Sequence, residues 1–180
     1  MQPANFEKIR SVSRILVVVS TLGLVGLALL AATFTLVPAL LVALAEQAHP
    51  DVSRQATISL PHHLGILAAS LLSLAASAYI LWHIRALFAA FAAGEVFSAR
   101  PPHHIHRIGW GLIAATLVQI VSPTLTVLFL SLGNPPGEKM LSLSLGSAHA
   151  GLIFFGLVMI TLGWVLKAAS GIAAENRQFI

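Results

Sequence analysis

Four long apolar stretches without any Asp, Glu, Lys or Arg run through the chain, and short polar segments separate them. These uncharged intervals are residues 15–45, 55–84, 108–137 and 140–166. Each is longer than the roughly 20 residues that a helix needs to cross about 30 Å of hydrocarbon. The pattern predicts four membrane-spanning helices, near residues 15–44, 64–87, 108–132 and 148–165.

The four spans are predicted to form one membrane domain over residues 1–180. A backbone inside lipid must satisfy its own hydrogen bonds, and these runs lack the alternation of polar and apolar positions that barrel strands require. Pro38 falls within the first span, where it is expected to kink or end the helix. The predicted fold class is therefore an all-α integral membrane protein, a bundle of four transmembrane helices.

The first span also invites a different interpretation, as a cleavable signal peptide. Lys8, Arg10 and Arg14 precede it, and the segment 43–45 resembles a signal-peptidase site. A secretory apolar region covers about 7–15 residues, whereas this one is about twice as long. A permanent transmembrane helix is therefore favoured over a cleaved one.

Basic residues are distributed unequally between the two sides of the predicted bundle. The N-terminus, the loop between the second and third spans and the C-terminal segment carry Lys8, Arg10, Arg14, Arg85, Arg100, Arg107, Lys167 and Arg177. The other two loops carry only Arg54 and Lys139. Since positive charge accumulates on the cytoplasmic side, both termini are predicted to lie in the cytoplasm, in a multi-pass protein of the inner membrane.

Composition supports the membrane assignment and narrows the chemistry. Hydrophobic residues make up 57% of the chain, charged residues make up 9%, and the mean hydropathy is +0.90, unlike a soluble domain. The sequence pI of about 10.4 is attributed to anchoring at an anionic membrane surface, because no dense basic cluster with aromatics predicts direct nucleic-acid binding. The absence of cysteine excludes disulfides and thiolate metal sites.

Three of the eight histidines lie in the segment RPPHHIHRIGWG, residues 100–111. Its two prolines suit the first turn of a helix, which would place His103 and His106 on one face as a candidate metal pair. A structural zinc site needs four ligands, and His83 and Glu95 are the nearest candidates for the others. The favoured alternative is a protonatable patch at the membrane interface that contacts lipid phosphates.

A second set of histidines falls on the predicted outer side. His49, His62, His63 and His149 come from two loops and two helix starts, and such a set could bind copper or zinc. His63 and His149 could also ligate a haem between the second and fourth spans. The favoured alternative is that these histidines are solvated, since they lie in polar segments that contain prolines.

The third span is the most polar of the four. Thr116, Gln119, Pro123 and Thr126 follow one another at helical spacing, which predicts a polar face turned into the bundle. A conduit for a small solute is one interpretation of this face. Hydrogen bonding between helices is the favoured one.

Small residues at helical spacing predict close packing between spans. The second span has a small residue at every fourth position over residues 65–77, and the fourth span repeats the spacing at Ser147 and Gly151, with Gly156 and Gly163 further along. The stripes do not distinguish contacts within the chain from contacts between copies, so homo-oligomerisation is left open.

Sequence motifs for catalysis are absent. The chain has no nucleophile elbow, P-loop, zincin motif or dinucleotide fingerprint, and no pair of carboxylates shares a helix face. We therefore predict neither enzymatic activity nor a cofactor.

Two segments resemble a bacterial family of four-helix membrane proteins catalogued as domain of unknown function 2975. Members of the family typically show an aromatic run, Gly-x-x-Phe-Ser/Thr and a basic helix that leads to Arg-x-x-Gly, and the first segment, LFAAFAAGEVFSARPPHHIHRIGW, resembles this pattern. The matching positions are Phe88, Phe91, Gly94, Phe97, Ser98, Arg107 and Gly109 or Gly111. The second is the tail WVLKAASGIAAENRQFI, in which Glu175, Asn176 and Ile180 hold the characteristic places.

The resemblance implies a fold and a membrane location, but no established activity. Members of the family are often encoded beside a small helix-turn-helix regulator, which suggests a non-catalytic interaction or regulatory module with a cytoplasmic partner. The residues that would dock this partner are Gly94, Phe97, Ser98, Glu175 and Asn176. The alternatives are that these residues only cap helices, and that the protein is a small solute transporter or binds metal or haem. Similar proteins tend to have acidic and basic residues in place of PPHHIH, so the resemblance assigns the histidines no family function.

Overall fold

The computed structural model describes residues 3–50, 52, 59–96, 98–132, 134–135, 139–143 and 145–176, with only the backbone for 3–6 and 173–176. This part of the chain forms helices and contains no strand. The helices are α1 (Pro3–Leu36), α2 (Pro38–Ala48), α3 (Leu60–Ala92), α4 (Arg100–Ser131) and α5 (Ser147–Asn176). Four of them, α1, α3, α4 and α5, are long and apolar enough to cross a membrane. The predicted all-α membrane fold with four spans is confirmed.

Pro38 separates α1 from α2. The residue before a proline disfavours the helical backbone, and Val37 accordingly leaves it with φ −126° and ψ 73°. Pro38 then occupies the first turn of α2, where its missing N–H costs little. The predicted end or kink of the helix is confirmed, and residues 38–44 of the first predicted span belong to a separate short helix.

The four long helices form a row in the order α1, α3, α4, α5, and neighbours in the row run antiparallel. The N-terminal part of α1 lies beside the end of α3, where the Arg10 Nε donates to the Ala92 carbonyl at 2.8 Å. The described residues of α1 and α5 share no extensive contact, so these helices form the two sides of the row. The arrangement brings Lys8, Arg85, Arg107 and Lys167 to the same end of the bundle, here named the basic end.

The helix α2 packs over the opposite end of the bundle. Leu41 and Val42 of α2 are buried against Ile66 of α3 and Leu130 of α4. Because this cluster joins three helices, it holds α2 in place at the far end of the row.

Glycines allow the backbones of α4 and α5 to approach closely. A Cβ on Gly109 would lie 2.6 Å from the Gly156 carbonyl oxygen, and a Cβ on Gly163 would lie 2.9 Å from the Cβ of His106. The predicted stripe of α3 also contacts α4, since Gly65 lies against Phe129. These contacts confirm close packing by small residues within the chain, but a Cβ on Gly151 would meet nothing within 4 Å, so the predicted repeat at Ser147 and Gly151 is not what brings the helices together.

The outer surfaces of α1 and α5 are apolar. Leu22, Leu29, Phe154 and Phe155 are each more than 60% exposed, and all lie in the uncharged parts of their helices. Such a surface suits hydrocarbon and not water, which agrees with a multi-pass membrane protein.

Candidate functional site

All three tryptophans of the chain mark one level near the basic end. Trp82, Trp110 and Trp164 are each more than half exposed, and each lies one helical turn from the nearest charged residue of its helix, Arg85, Arg107 or Lys167. Tryptophan favours the boundary between hydrocarbon and headgroups, so these rings locate the membrane interface. The belt was not predicted from the sequence, although three of the spans each have a tryptophan three residues from a cation.

Parts of the helices extend beyond this interface. The uncharged part of α1, residues 15–36, measures about 33 Å, which matches a hydrocarbon layer of about 30 Å. Residues 3–14 therefore project about 18 Å beyond the layer, and residues 85–92 of α3 and 100–107 of α4 project about 12 Å each. The basic end is a surface outside the hydrocarbon.

Gly94 ends α3 in the way that the sequence predicts. Its φ of 84° is the left-handed conformation that glycine adopts without steric cost. The Gly94 N–H donates to the Phe91 carbonyl at 3.0 Å, and the Glu95 N–H donates to the Ala90 carbonyl at 2.9 Å. This pair of bonds is a Schellman motif, which closes the helix and turns the chain toward α4.

Ser98 stabilises the start of α4, although it lies one residue before the N-cap, Ala99. Its hydroxyl accepts the Arg100 N–H at 3.3 Å and donates to the Glu95 carbonyl at 3.2 Å. The Arg100 guanidinium lies 3.3 Å from the Glu95 carboxylate, which closes the turn. Glu95 is therefore paired within the turn and does not join the histidines as the sequence suggested it could.

An apolar groove lies between the projecting parts of α1 and α3, and we name it the docking groove. Its volume is about 470 Å³, and it is lined by Ile9, Val12, Phe88, Phe91 and Val96, with Lys8 at its side. The Phe88 and Phe91 ring centroids lie 6.0 Å apart, edge to face. Phe88 and Phe91 lie about 9 Å and about 14 Å further along α3 than Trp82, so the groove lies on the water side of the interface.

The residues predicted to dock a partner are only partly described. Gly94 is exposed and lines a smaller cavity, which shares Ile9, Phe91 and Val96 with the docking groove. Ser98 is half-buried. Phe97 lies outside the described residues. Glu175 and Asn176 are in the last turn of α5, and their side chains also lie outside the description. A common docking surface formed by both segments remains a prediction.

His83 and His104 join α3 and α4 at the basic end. Their Nδ1 atoms lie 3.1 Å apart, and the Tyr79 ring packs on His83 with a centroid distance of 4.6 Å. The His103 ring lies 5.5 Å from that of His104 and 6.5 Å from that of His83. The pair was not predicted from the sequence, because His83 lies nine residues before the end of α3 and His104 four residues after the start of α4, a spacing that does not signal contact.

A cavity of about 430 Å³ lies between the start of α4 and α5, and we name it the basic cavity. The polar side chains that line it are Arg100, His103, His104, His106 and Lys167, and Trp164 forms part of its wall. His103 and His106 thus face a common space, as their spacing predicts. The described residues contain no group of three or more His, Asp or Glu side chains arranged to hold a metal ion, and metal binding by this pair remains a prediction.

Two of the four predicted outer histidines, His62 and His149, have local hydrogen-bond partners at the far end of the bundle. His62 forms a hydrogen bond with the Ser59 hydroxyl, and the His149 Nδ1 accepts the Gly146 N–H at 3.0 Å. His63 is on α3 and His149 is on α5. The helix α4 packs against both of these helices and lies between them in the row. Metal or haem binding by these residues remains a prediction.

The polar face of α4 includes one residue that the prediction did not name, Ser122. Thr116 and Thr126 are buried as expected, and Gln119, although exposed, lines a cavity together with Pro123 and Thr126. The hydrogen bonds between helices come from Ser122, which donates to the Ala69 carbonyl at 2.6 Å and accepts from the Ser73 hydroxyl at 2.9 Å. Ser122 lies three residues after Gln119, on the side of the helix that meets the small-residue stripe of α3.

A cavity of about 490 Å³ lies in the half of the bundle opposite the basic end, and we name it the polar cavity. Gln119, Ser70, Ser73, Ser122 and Thr126 contribute its polar lining, and His49 of the α2 end closes it at one side. The exposed Gln119 amide therefore faces a cavity that also contains hydroxyl groups.

A family model matches residues 40–180, and its description is a protein of unknown function, DUF2975. The chain belongs to the DUF2975 family. No curated protein matches the chain. No solved structure matches it either. The family that the sequence resembles is confirmed.

The DUF2975 match covers α3, α4 and α5 and most of α2. The Gly94 turn, both histidine sets, the basic cavity and the tail therefore lie in the matched part of the chain. Ile9 and Val12, which form one wall of the docking groove, belong to α1 and precede it.

Proposed function

We propose that this DUF2975 protein is a non-catalytic adaptor of the inner membrane whose basic end faces the cytoplasm and binds a soluble partner. The orientation rests on the charge distribution, because seven described cations lie at the basic end, whereas Lys139 is the described one beyond the far end. A helix-turn-helix regulator is the partner class that the resemblance suggests.

The docking groove is the observation that carries this proposal. Its phenylalanines lie beyond the tryptophan belt, where lipid tails do not cover them. Contact of an apolar surface with water is unfavourable, and burial of that surface by a partner would stabilise the complex. Exposed apolar surfaces therefore commonly mark sites of protein association. The two walls of the groove are also held together, because the Arg10 side chain of α1 donates a hydrogen bond to the carbonyl of Ala92, the last residue of α3.

The shape and charge of the groove favour an amphipathic helix of the partner as its occupant. Two antiparallel helices form its walls, and such a groove accepts the apolar face of a third helix. Lys8 lines the groove, Arg10 and Glu7 line the smaller cavity beside it, and the nearby Glu95 is paired with Arg100. We therefore expect acidic residues beside the apolar face of the partner helix.

The proposal is tested by capture of cytosolic proteins on the protein in lipid nanodiscs, followed by binding measurements with the purified captured protein. Phe91→Ala removes an aromatic side chain from the groove, and we expect it to weaken binding by at least about tenfold. Phe97→Ala and Glu175→Ala, at positions of the family resemblance, test whether those segments contribute to the same surface.

Phe155→Ala is the matched control, because Phe155 is an exposed phenylalanine in the uncharged part of α5, away from the groove, whereas Phe91 is half-buried in the groove wall. It should insert normally and bind the partner as the wild type does. If wild type and Phe91→Ala capture the same proteins with the same affinity, a docking role for the groove is contradicted.

A small-solute function is the second candidate, and the polar cavity favours it. The amide of Gln119 and the neighbouring hydroxyls could bind a small neutral solute. Osmotic swelling of proteoliposomes in glycerol and in urea tests this, with Gln119→Leu against Gln47→Leu, an exposed glutamine of α2 outside the cavity lining. Swelling that is equal in both variants and in the wild type would remove the transport alternative.

A further inference from the structure

The basic cavity combines five side chains that carry or can carry positive charge. Arg100 and Lys167 come from the two helices that face each other across it, and His103, His104 and His106 come from α4. No Asp or Glu is among its lining residues, and Glu95, which pairs with Arg100, belongs to the adjacent turn. The cavity therefore suits an anionic group.

The position of the cavity identifies the source of the anion. Trp164, one of the three tryptophans of the interface belt, forms part of its wall, and Lys167 lies one turn further from the hydrocarbon. The neighbouring surface of α5 is apolar, with Leu162 and Val165 exposed. A ligand here has its charged group beside cations and its apolar part beside an apolar helix, which is the arrangement of a phospholipid.

His106 supplies a second observation. The Trp110 Nε1 donates to the His106 Nε2 at 3.2 Å, so the neutral ring carries its proton on Nδ1. That Nδ1 is buried, and no acceptor for it is present in the described part of the chain. Because this atom is shielded, His106 lines the cavity through the rest of its ring, which Trp110 holds in place.

We propose that the basic cavity binds the phosphate group of an anionic phospholipid. Arg100 and Lys167 hold the phosphate by charge, and Trp164 packs against the glycerol and upper acyl region. The bound lipid would fix the start of α4 to α5 at the level of the interface. This site is independent of the docking groove, which lies on the other side of α3.

Native mass spectrometry of the protein in a neutral detergent, titrated with phosphatidylglycerol, tests the site. We expect Arg100→Gln combined with Lys167→Gln to weaken phosphatidylglycerol binding by at least about tenfold. The control combines Arg14→Gln with Arg107→Gln, which removes the same charge from the same end of the bundle but not from the cavity lining. We expect the control to change binding by less than about threefold, because exposed charges outside the cavity are screened.

Circular dichroism and gel filtration establish that both double variants remain folded. Equal weakening in the two double variants would overturn the proposal, since it would mean that total charge and not the cavity holds the lipid. Unchanged binding in the cavity variant would also overturn it. A further arm replaces chloride by inorganic phosphate at equal ionic strength, and displacement of the lipid by millimolar phosphate would identify free phosphate as the ligand and contradict the lipid source.

Discussion

The Nδ1 atoms of His83 in α3 and His104 in α4 lie 3.1 Å apart, so two imidazoles join these helices directly at the basic end. A hydrogen bond between them needs one neutral acceptor nitrogen, because a doubly protonated ring has only donors. His103, Arg100 and Arg107 add further positive or protonatable groups around the pair. Protonation of both rings would replace a hydrogen bond by repulsion.

We therefore expect the contact between α3 and α4 to weaken in acid, because the imidazoles of the unfolded chain bind protons below about pH 6.5, whereas the paired rings take up a second proton less readily. The stabilisation is present above that pH and is lost below it. Thermal unfolding in detergent should show a loss of about 1 kcal/mol between about pH 7.5 and about pH 5.5. Replacing the pair by His83→Leu and His104→Leu should flatten this dependence, whereas His63→Gln at the far end should keep it. A double variant as sensitive to pH as the wild type would refute the assignment.

Gly94→Ala tests the turn that connects α3 to α4. The substitution places a side chain at a φ of 84°, at a cost of about 1–2 kcal/mol, although no neighbouring atom obstructs its Cβ. Gly171→Ala, in the helical part of α5, also meets open space and should leave stability unchanged or raise it by about 0.5–1 kcal/mol. Thermal unfolding compares the two, and equal destabilisation would show that the left-handed turn is not what Gly94 provides.

Elemental analysis of the protein, expressed without a histidine tag, tests the metal hypotheses. We expect far less than one equivalent of zinc, copper or iron, because His83 is engaged with His104 and Glu95 with Arg100. Near-stoichiometric metal would contradict this. Separate substitution of His103 with His106, and of His62, His63 and His149, would then locate the ligands.

The lack of cysteine makes orientation measurable by single cysteine substitutions. A membrane-impermeant maleimide added to spheroplasts should label Lys139→Cys, because Lys139 follows the far end of α4. It should label Arg14→Cys only after the membrane is permeabilised. The reverse pattern would place the basic end outside the cytoplasm.

The four spans could be predicted from the sequence because a membrane span depends on the hydrophobicity summed over many residues. Twenty uncharged positions require a helix in lipid, and Pro38 acts on its immediate neighbours, so both were predictable without tertiary contacts. The turn at Gly94 was predictable for the same reason, since the need for a left-handed residue is local.

The candidate sites were less predictable because they depend on which helices adjoin and in what rotation. Gln119 is the most polar residue of its span, which favoured it as the group that bonds to a neighbouring helix, but close packing against α3 requires a small donor, and Ser122 provides it. The His83–His104 pair and the docking groove each combine residues from two helices. Their partners could be found only once the antiparallel order of the row was known.

Photo-crosslinking in living cells tests the proposed docking groove most directly. A benzophenone amino acid is introduced at Phe91 in the groove, or at Phe155 on the outer surface of α5. After irradiation, the account predicts a crosslink from position 91 to a soluble cytoplasmic protein, and none to that protein from position 155. Crosslinks to lipid alone from both positions, or the same soluble protein from both, would contradict a specific docking groove.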